Sequence, residues 1–417
     1  MSEGAALEER KQPARALRRP RWRRRQVLVR WAAVSTSAAL GGLLGLWVAV
    51  HRYEWMGPLV ANGLRAVIGT DNVARLEDFV YAVEDRVNRV RRKHEPPQAY
   101  WTVPTALPRA STRPVSSAVV PEKPALSPFR PVDPGPFDKK WTARGDGVWV
   151  PIVDPRRAED DPRLYKTLLH PDPTRGWAEV FVVAVDLRRV DIHLMAGSQE
   201  PKFEDEENPP PYERKAKIPE EHHDALLAAF NGGFMTEHGG YGMKVDDVVL
   251  VSPKPDVCSL VRYTDGSLQI ASWKRIADRE PEMLWYRQAP ACMVQNGKLH
   301  PGLAAGSMRR WGATLDGETV IRRSAVGLSA DRQILYVSIT NHTTARVLAD
   351  GLHHAGAVDI AQMDVNWSYP KFVLYEPHPD DGRLVAVALA RGFEFSEDEY
   401  IRRRSRRDFF YITRKPD

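Results

Sequence analysis

The chain has 417 residues, 43% of them hydrophobic, and a formal net charge of +6. That is enough for a sizeable core and, at roughly 150 residues each, two or three domains. The positive surplus sits in the first thirty residues, "ERKQPARALRRPRWRRRQVLVR", so the global charge does not point to nucleic acid as a partner. The fingerprints GxGxxG, GxxxxGK[ST], HExxH and GxSxG are missing, which argues against Rossmann, P-loop, zincin and ordinary α/β-hydrolase chemistry.

Residues 1–30 read as a basic cytoplasmic arm. The stretch that follows, Trp31 to Val50, carries no charge. About 20 such residues span ~30 Å of hydrocarbon as a helix. Trp31, Trp47, Tyr53 and Trp55 mark its ends as interfacial aromatics do, and the preceding arginines keep the N-terminus in the cytoplasm. The expectation is a single-pass anchor at 31–50 with the rest of the chain periplasmic or extracellular; a cleaved signal peptide is the alternative.

Within 51–94, Val73, Leu76, Phe79, Val80, Val83, Val87 and Val90 recur at three- and four-residue intervals, which predicts a juxtamembrane amphipathic helix. The heptad run is shorter than a strong coiled coil needs, so the expectation is a weak homodimer through residues 71–92. Residues 95–139 are rich in Pro, Ser, Thr and Ala and read as a semi-rigid spacer, with "AYW" able to dock locally.

The folded domain is expected over 140–417. "GVWVPIV" reads as a strand and "WAEVFVVAVDLRRVDIHLMAG" as two. "HDALLAAF" is a short helix or strand lead-in to Asn231. Hairpins are predicted across "KVDDVVLVSP", at Asp265-Gly266, at Asn296-Gly297 and around Ala330-Asp331. "TARVLADGLHHAGA" is helical, and "VDIAQMDV" returns as a strand. The fold class is α+β: a largely antiparallel, mixed β-sheet domain with few helices, after one transmembrane helix. Cys258 and Cys292 read as two buried thiols, a bridge between them requiring an oxidising compartment. His353 and His354 are adjacent, point to different helix faces, and read as packing residues rather than a metal pair.

Three segments in order, "FNGGF", "IRRSAVGLSADRQILYVSI" and "TTARVLADGLHHAGAVDIAQMD", resemble the phosphodiester glycosidase family over roughly Val180 to Tyr375. Asn231, Gly232 and Gly233 match its Asn-Gly-Gly turn, Arg323 the Arg of its Arg-Ser-Ala strand, and Asp364 and Ser368 the ends of its glycine loop. The loop departs from the family: Val365, Asn366 and Trp367 replace glycines whose amides could cradle a phosphate.

The resemblance implies an extracytoplasmic hydrolase acting on a glycosidic or sugar-1-phosphodiester bond of envelope or extracellular polysaccharide. A non-catalytic carbohydrate-binding module on the same fold is the alternative. Asp364 is the first catalytic carboxyl and Glu237 the second, since glycosidic cleavage needs a proton donor and a base or nucleophile. Asn231 is placed with them, bonding sugar hydroxyls or holding the turn. Gly232, Gly233, His238, Lys244, Arg323, Asn366, Trp367, Ser368 and Tyr369 are assigned to the substrate: Arg323 as a fork for an anion, Lys244 as a point charge, Trp367 and Tyr369 as rings for a sugar. No cofactor is expected, and a metal is left open.

Overall fold

A computed structural model describes residues 69–104, 127–307, 309–312 and 319–416, with isolated positions between 30 and 45. The basic arm lies outside the described residues almost entirely, and the expected anchor largely so. Among the described residues no helix is long and apolar enough to cross a membrane. The chain divides into two compact units, Met1–Val73 and Ala74–Asp417, and all three sheets lie in the second.

Three sheets carry the fold, and every strand pairing within them is antiparallel. The first runs β1 (Val150–Ile152), β2 (Leu164–Leu169), β3 (Glu179–Asp186), β14 (Ile334–Asn341), β13 (Arg323–Leu328), β15 (Asp359–Val365), β11 (Val294–Gln295), β12 (Lys298–Leu299). The second runs β17 (Leu384–Ala388), β16 (Phe372–Pro377), β5 (Leu226–Asn231), β18 (Phe409–Arg414), β4 (Val190–Met195). The third runs β7 (Val248–Val251), β6 (Met243–Val245), β10 (Met283–Ala289), β8 (Cys258–Tyr263), β9 (Leu268–Ser272). From residue 69 onward the described α-helices are few: α1 (Thr70–Arg91), the single turn α2 (Pro301–Ala304) and α3 (Ala345–His354). The architecture is therefore mainly antiparallel β, as the run of hairpin signals implied.

The turn chemistry explains the hairpins. Asp246 and Asp247 have φ of 47° and 65°, and Asn296-Gly297 have 47° and 72°, the left-handed pair that a two-residue hairpin turn needs. The segment "EVFVVAVDLRRVDIHL" behaves differently. Its two strands do not pair: β3 lies inside the first sheet and β4 at the edge of the second. Every residue of β3 is buried. Phe181, Val183 and Val185 join the core shared with Ile192, Phe230, Leu260, Trp285 and Phe410. Val180, Val182 and Ala184 pack instead with Leu348 and Leu352 of α3. A strand covered on both faces reads as a continuous apolar run.

Two expectations need correction. Cys258 and Cys292 form a disulfide across 34 positions, and a loop of that length is worth roughly 3–4 kcal/mol in the chain-entropy account. The spacer at 95–139 packs on the domain at several of its described residues. The Tyr100 ring meets Phe181 edge-on at 4.8 Å, Phe129 meets Tyr165 at 5.5 Å, and Asp133 accepts from the Trp149 amide at 2.7 Å. Packing thus begins before residue 140, because the aromatic residues interleaved with the prolines bury themselves on the sheet. Residues 105–126 lie outside the described residues.

Two half-buried histidines make the fold acid-sensitive. His193 stacks on Tyr411 at 4.5 Å. Burial, and after it the neighbouring His222, holds its pKa down to about 4; burial does the same for His342. Both rings are kept neutral in the fold but are free to charge once unfolded. Stability is therefore full above pH ~6.5 and falls as pH drops from there towards about 4, by on the order of 3 kcal/mol per histidine. Urea midpoints measured from pH 8 to 4.5 should show this fall. His193→Phe, which keeps a ring on Tyr411, should reduce it. A flat profile in the parent chain would contradict the assignment.

Candidate functional site

The candidate site lies where the second sheet meets the first. Asn231 ends β5, Ser324 stands near the start of β13, and Asp364 near the end of β15, paired in register with Ser324. The Asn231 side-chain amide donates to Ser324 Oγ at 2.8 Å and to the Gly232 carbonyl at 2.9 Å, while its oxygen accepts from the Lys371 amide at 3.1 Å. Ser324 Oγ also accepts from the Asp364 amide at 3.2 Å. Asn231 thus ties β5, β13 and the entry to β16 together. Its side chain is buried and spent on these bonds, so the catalytic role expected for it gives way to positioning.

The two glycines admit a buried ion pair under the turn. A Cβ on Gly232 would sit 2.1 Å from Asp408 Oδ2, and one on Gly233 2.8 Å from Arg287 Cζ. Arg287 Nε donates to Asp408 Oδ2 at 2.8 Å, and the Gly233 amide donates to the same oxygen at 2.9 Å. Both charged side chains are buried. Close approach of other groups, rather than backbone offered to a substrate, is therefore what Gly232 and Gly233 provide. Gly232→Ala should cost about 1–3 kcal/mol through overpacking against Asp408. Guanidinium denaturation would measure it, and an unchanged midpoint would show that the turn can yield.

Asp364 is buried and faces Arg407, whose Nη1 stands 3.0 Å from Asp364 Oδ2. That oxygen makes no aligned hydrogen bond, although the charge lies against it. Burial raises the Asp364 pKa above the usual carboxylate value; Arg407 pulls it back, and His238 lies close enough to add a smaller effect of the same sign. Arg407 also donates to the Gly233 carbonyl at 2.8 Å and lies over the Tyr369 ring at 3.6 Å from its centroid. The Tyr369 hydroxyl donates to the Asp408 carbonyl, and burial pushes its pKa well up. Asn231, Asp364, Arg407, Asp408, Tyr369 and the Gly-Gly turn therefore form one connected cluster, with His238 beside it.

The remaining expected residues fall outside this cluster or serve it indirectly. Arg323 is buried within the first sheet. It donates to the Trp311, Thr319 and Thr343 carbonyls and to Gln362 Oε1, and burial drives its pKa down to about 9. Strand alternation sends Ser324 to the site and Arg323 away from it, so the anion-binding role expected for Arg323 is replaced by a structural one. Lys244 pairs with Asp247 at 3.3 Å on its own hairpin.

The loop after Asp364 is closed on itself. The Asn366 amide donates to the Arg322 carbonyl, and the Ser368 amide and hydroxyl both donate to Asn366 Oδ1. Trp367 packs on His342 at 5.1 Å, with Arg322 over its ring. Ser368 and Asn366 thus cap a turn, which is what the loop does in place of a glycine cradle. One face of the Tyr369 ring is covered by Arg407 and so closed to a sugar. Glu237 and His238 are exposed and 3.5 Å apart.

Sequence reasoning missed Ser324, Arg287, Arg407 and Asp408. The run "RRRSRRDFF" does carry a signal: an Asp entering an aromatic strand straight after arginines. Nothing local, however, distinguishes Arg407 from the arginines around it. Asp364 and Arg407 line neither of two surface hollows among the described residues, one bordered by Ile152, Asp154, Tyr375 and Arg414 and the other by Asp256, Gln295, His300 and Arg310. No group of three or more metal-binding side chains occurs among the described residues.

No protein-family model matches the chain, and no curated protein matches it in sequence. Among solved structures, the catalytic domain of zebrafish N-acetylglucosamine-1-phosphodiester alpha-N-acetylglucosaminidase, auto-inhibited by its pro-peptide, is a distant structural neighbour. The similarity covers 63% of this chain and 87% of that one, at 14% identity and a TM-score of 0.39. A hypothetical protein from Synechocystis is similar over 62% of this chain and 65% of that one, at 8% identity and a TM-score of 0.30.

Proposed function

We propose that the folded unit is a hydrolase of a glycosidic or sugar-1-phosphodiester bond, tethered to a membrane by residues 31–50 and working outside the cytoplasm on envelope or extracellular polysaccharide. The observation that carries this reading is the buried Asp364 carboxyl, raised in pKa and set 3.0 Å from Arg407. A general acid needs a raised proton affinity, and perturbed titratable groups mark functional sites more often than others. Arg407 is the anion receptor in place of Arg323. An oxyanion that draws Arg407 towards itself weakens the charge holding Asp364 ionised, so binding an anionic group favours protonated Asp364. The proton then passes to the leaving oxygen, and Glu237, beside His238, is the second carboxyl. The Cys258–Cys292 bridge supports an oxidising compartment.

A binding module is the second reading. It is favoured by the amides of the Gly-Gly turn, Asn366 and Ser368 all being engaged within the chain. Hydrolysis of sugar-1-phosphodiesters and aryl glycosides by the full chain distinguishes the two: saturable turnover supports the enzyme, whereas sugar binding without turnover of either class supports the module.

A further inference from the structure

The helix α1 is attached to the domain by its polar side. Tyr81, Glu84, Asp85 and Asn88 are its half-buried positions. Arg175 of the domain donates to both Asp85 oxygens at 2.8 and 2.9 Å, and Arg89 to one of them at 2.9 Å. Burial pushes the Asp85 carboxyl up, but these two arginines hold it below its ordinary range. Val73, near the start of the helix, is buried, but from Leu76 onward the apolar side points the other way. Leu76, Phe79, Val80, Val83, Val87 and Val90 are all exposed, Phe79 by 65% and Val90 by 79%. An amphipathic helix ordinarily packs the opposite way round, apolar face on the core.

The spacing of this stripe identifies what covers it. Leu76, Val80, Val83, Val87 and Val90 follow one another by four, three, four and three residues, which is the alternation of a heptad seam rather than of a 3.6-residue face. The seam is narrow, and beyond Phe79 it is flanked by Glu84 and Arg86. A bilayer would need those flanking charges to sink with it, whereas the seam of another helix would not.

We propose that α1 is a dimerisation helix whose occupant is a second copy of this chain, aligned in parallel. The direction follows from the expected anchor upstream, which would start both helices at the same membrane surface. Two features offset the shortness of the seam. The domain already holds α1 as a helix, so association does not have to order it. Confinement to one membrane also raises the effective concentration of the partner. In this register Arg86 meets Arg91 of the partner subunit at the positions flanking the seam, which keeps the dimer weak and makes added salt strengthen it.

Cysteine cross-linking on the full chain in detergent tests this. The two native cysteines are joined to each other, so an introduced thiol stands alone. Val83→Cys lies on the seam; Ala82→Cys is also exposed but off it. Under mild oxidation Val83→Cys should give about tenfold more covalent dimer than Ala82→Cys, the bias expected of two chains held in register. The exposed double change Val80→Asp with Val83→Asp should leave a folded monomer in sedimentation. Equal cross-linking at both positions would overturn the proposal. So would a Val83→Cys monomer whose introduced thiol is shielded from maleimide, which would mean that the chain's own upstream residues cover the stripe. Shielding that appears only with phosphatidylglycerol vesicles would overturn it in favour of a membrane surface.

Discussion

Asp364→Asn should lower turnover of a sugar-1-phosphodiester by roughly 10²-fold or more, the usual contribution of a positioned general acid. The substitution keeps the side chain's shape, and the Asp364 backbone bond to Ser324 is untouched. The loss should therefore appear in kcat, with the fold retained. Removing the carboxylate leaves the largely buried Arg407 charge without its partner, so the variant should also lose stability, and turnover is compared well below its unfolding midpoint. Among glycosides, an aryl one with a good leaving group should suffer less than an alkyl one, because its departure needs little protonation. Equal turnover in parent and variant would remove Asp364 from the mechanism.

Replacing Arg407 should act on two readouts at once. Arg407→Lys loses the fork that now reaches both Asp364 and the Gly233 carbonyl, and with it the planar contact on Tyr369. Lysine presents a point charge instead. We expect kcat/KM for the phosphodiester to fall by about 10- to 100-fold, the range for losing a charge-assisted bidentate contact, and that for a neutral aryl glycoside to fall much less. Arg407→Gln adds a pH signature. Arg407 lowers the Asp364 pKa, so removing its charge raises that pKa further. A general acid works only while protonated, and the basic limb of the pH–rate profile should therefore move to higher pH. A limb that stays in place would separate Arg407 from the acid, while equal losses on both substrates would mean that it shapes the pocket rather than receives the anion.

The chain's local chemistry determined the kind of fold. Asp-Asp, Asp-Gly and Asn-Gly pairs between branched runs specify tight hairpins, and their succession specifies antiparallel sheet. The helix at Ala345–His354 follows from its apolar spacing and its Thr344 cap. Asp364 was legible as well, as an acid closing a strand.

Partnership was not legible, because it depends on which segments distant in sequence meet. Two adjacent arginines at the start of β13 look alike in the sequence, yet neither serves the site, since strand direction and burial turn both into donors for carbonyls. The two strands of "EVFVVAVDLRRVDIHL" separate into different sheets, although their connection is as short as a hairpin's. Asn231 and the glycines looked like the wall of a site. The three-dimensional structure makes them its scaffold, because Asp408, 175 residues beyond Gly233, and Arg287, 53 beyond Phe234, arrive to fill the space beneath the turn. Arg407 comes to Asp364 the same way. Hydrogen-bonding periodicity is written locally along the chain, whereas desolvation and charge pairing belong to whatever the completed fold places within a few ångströms.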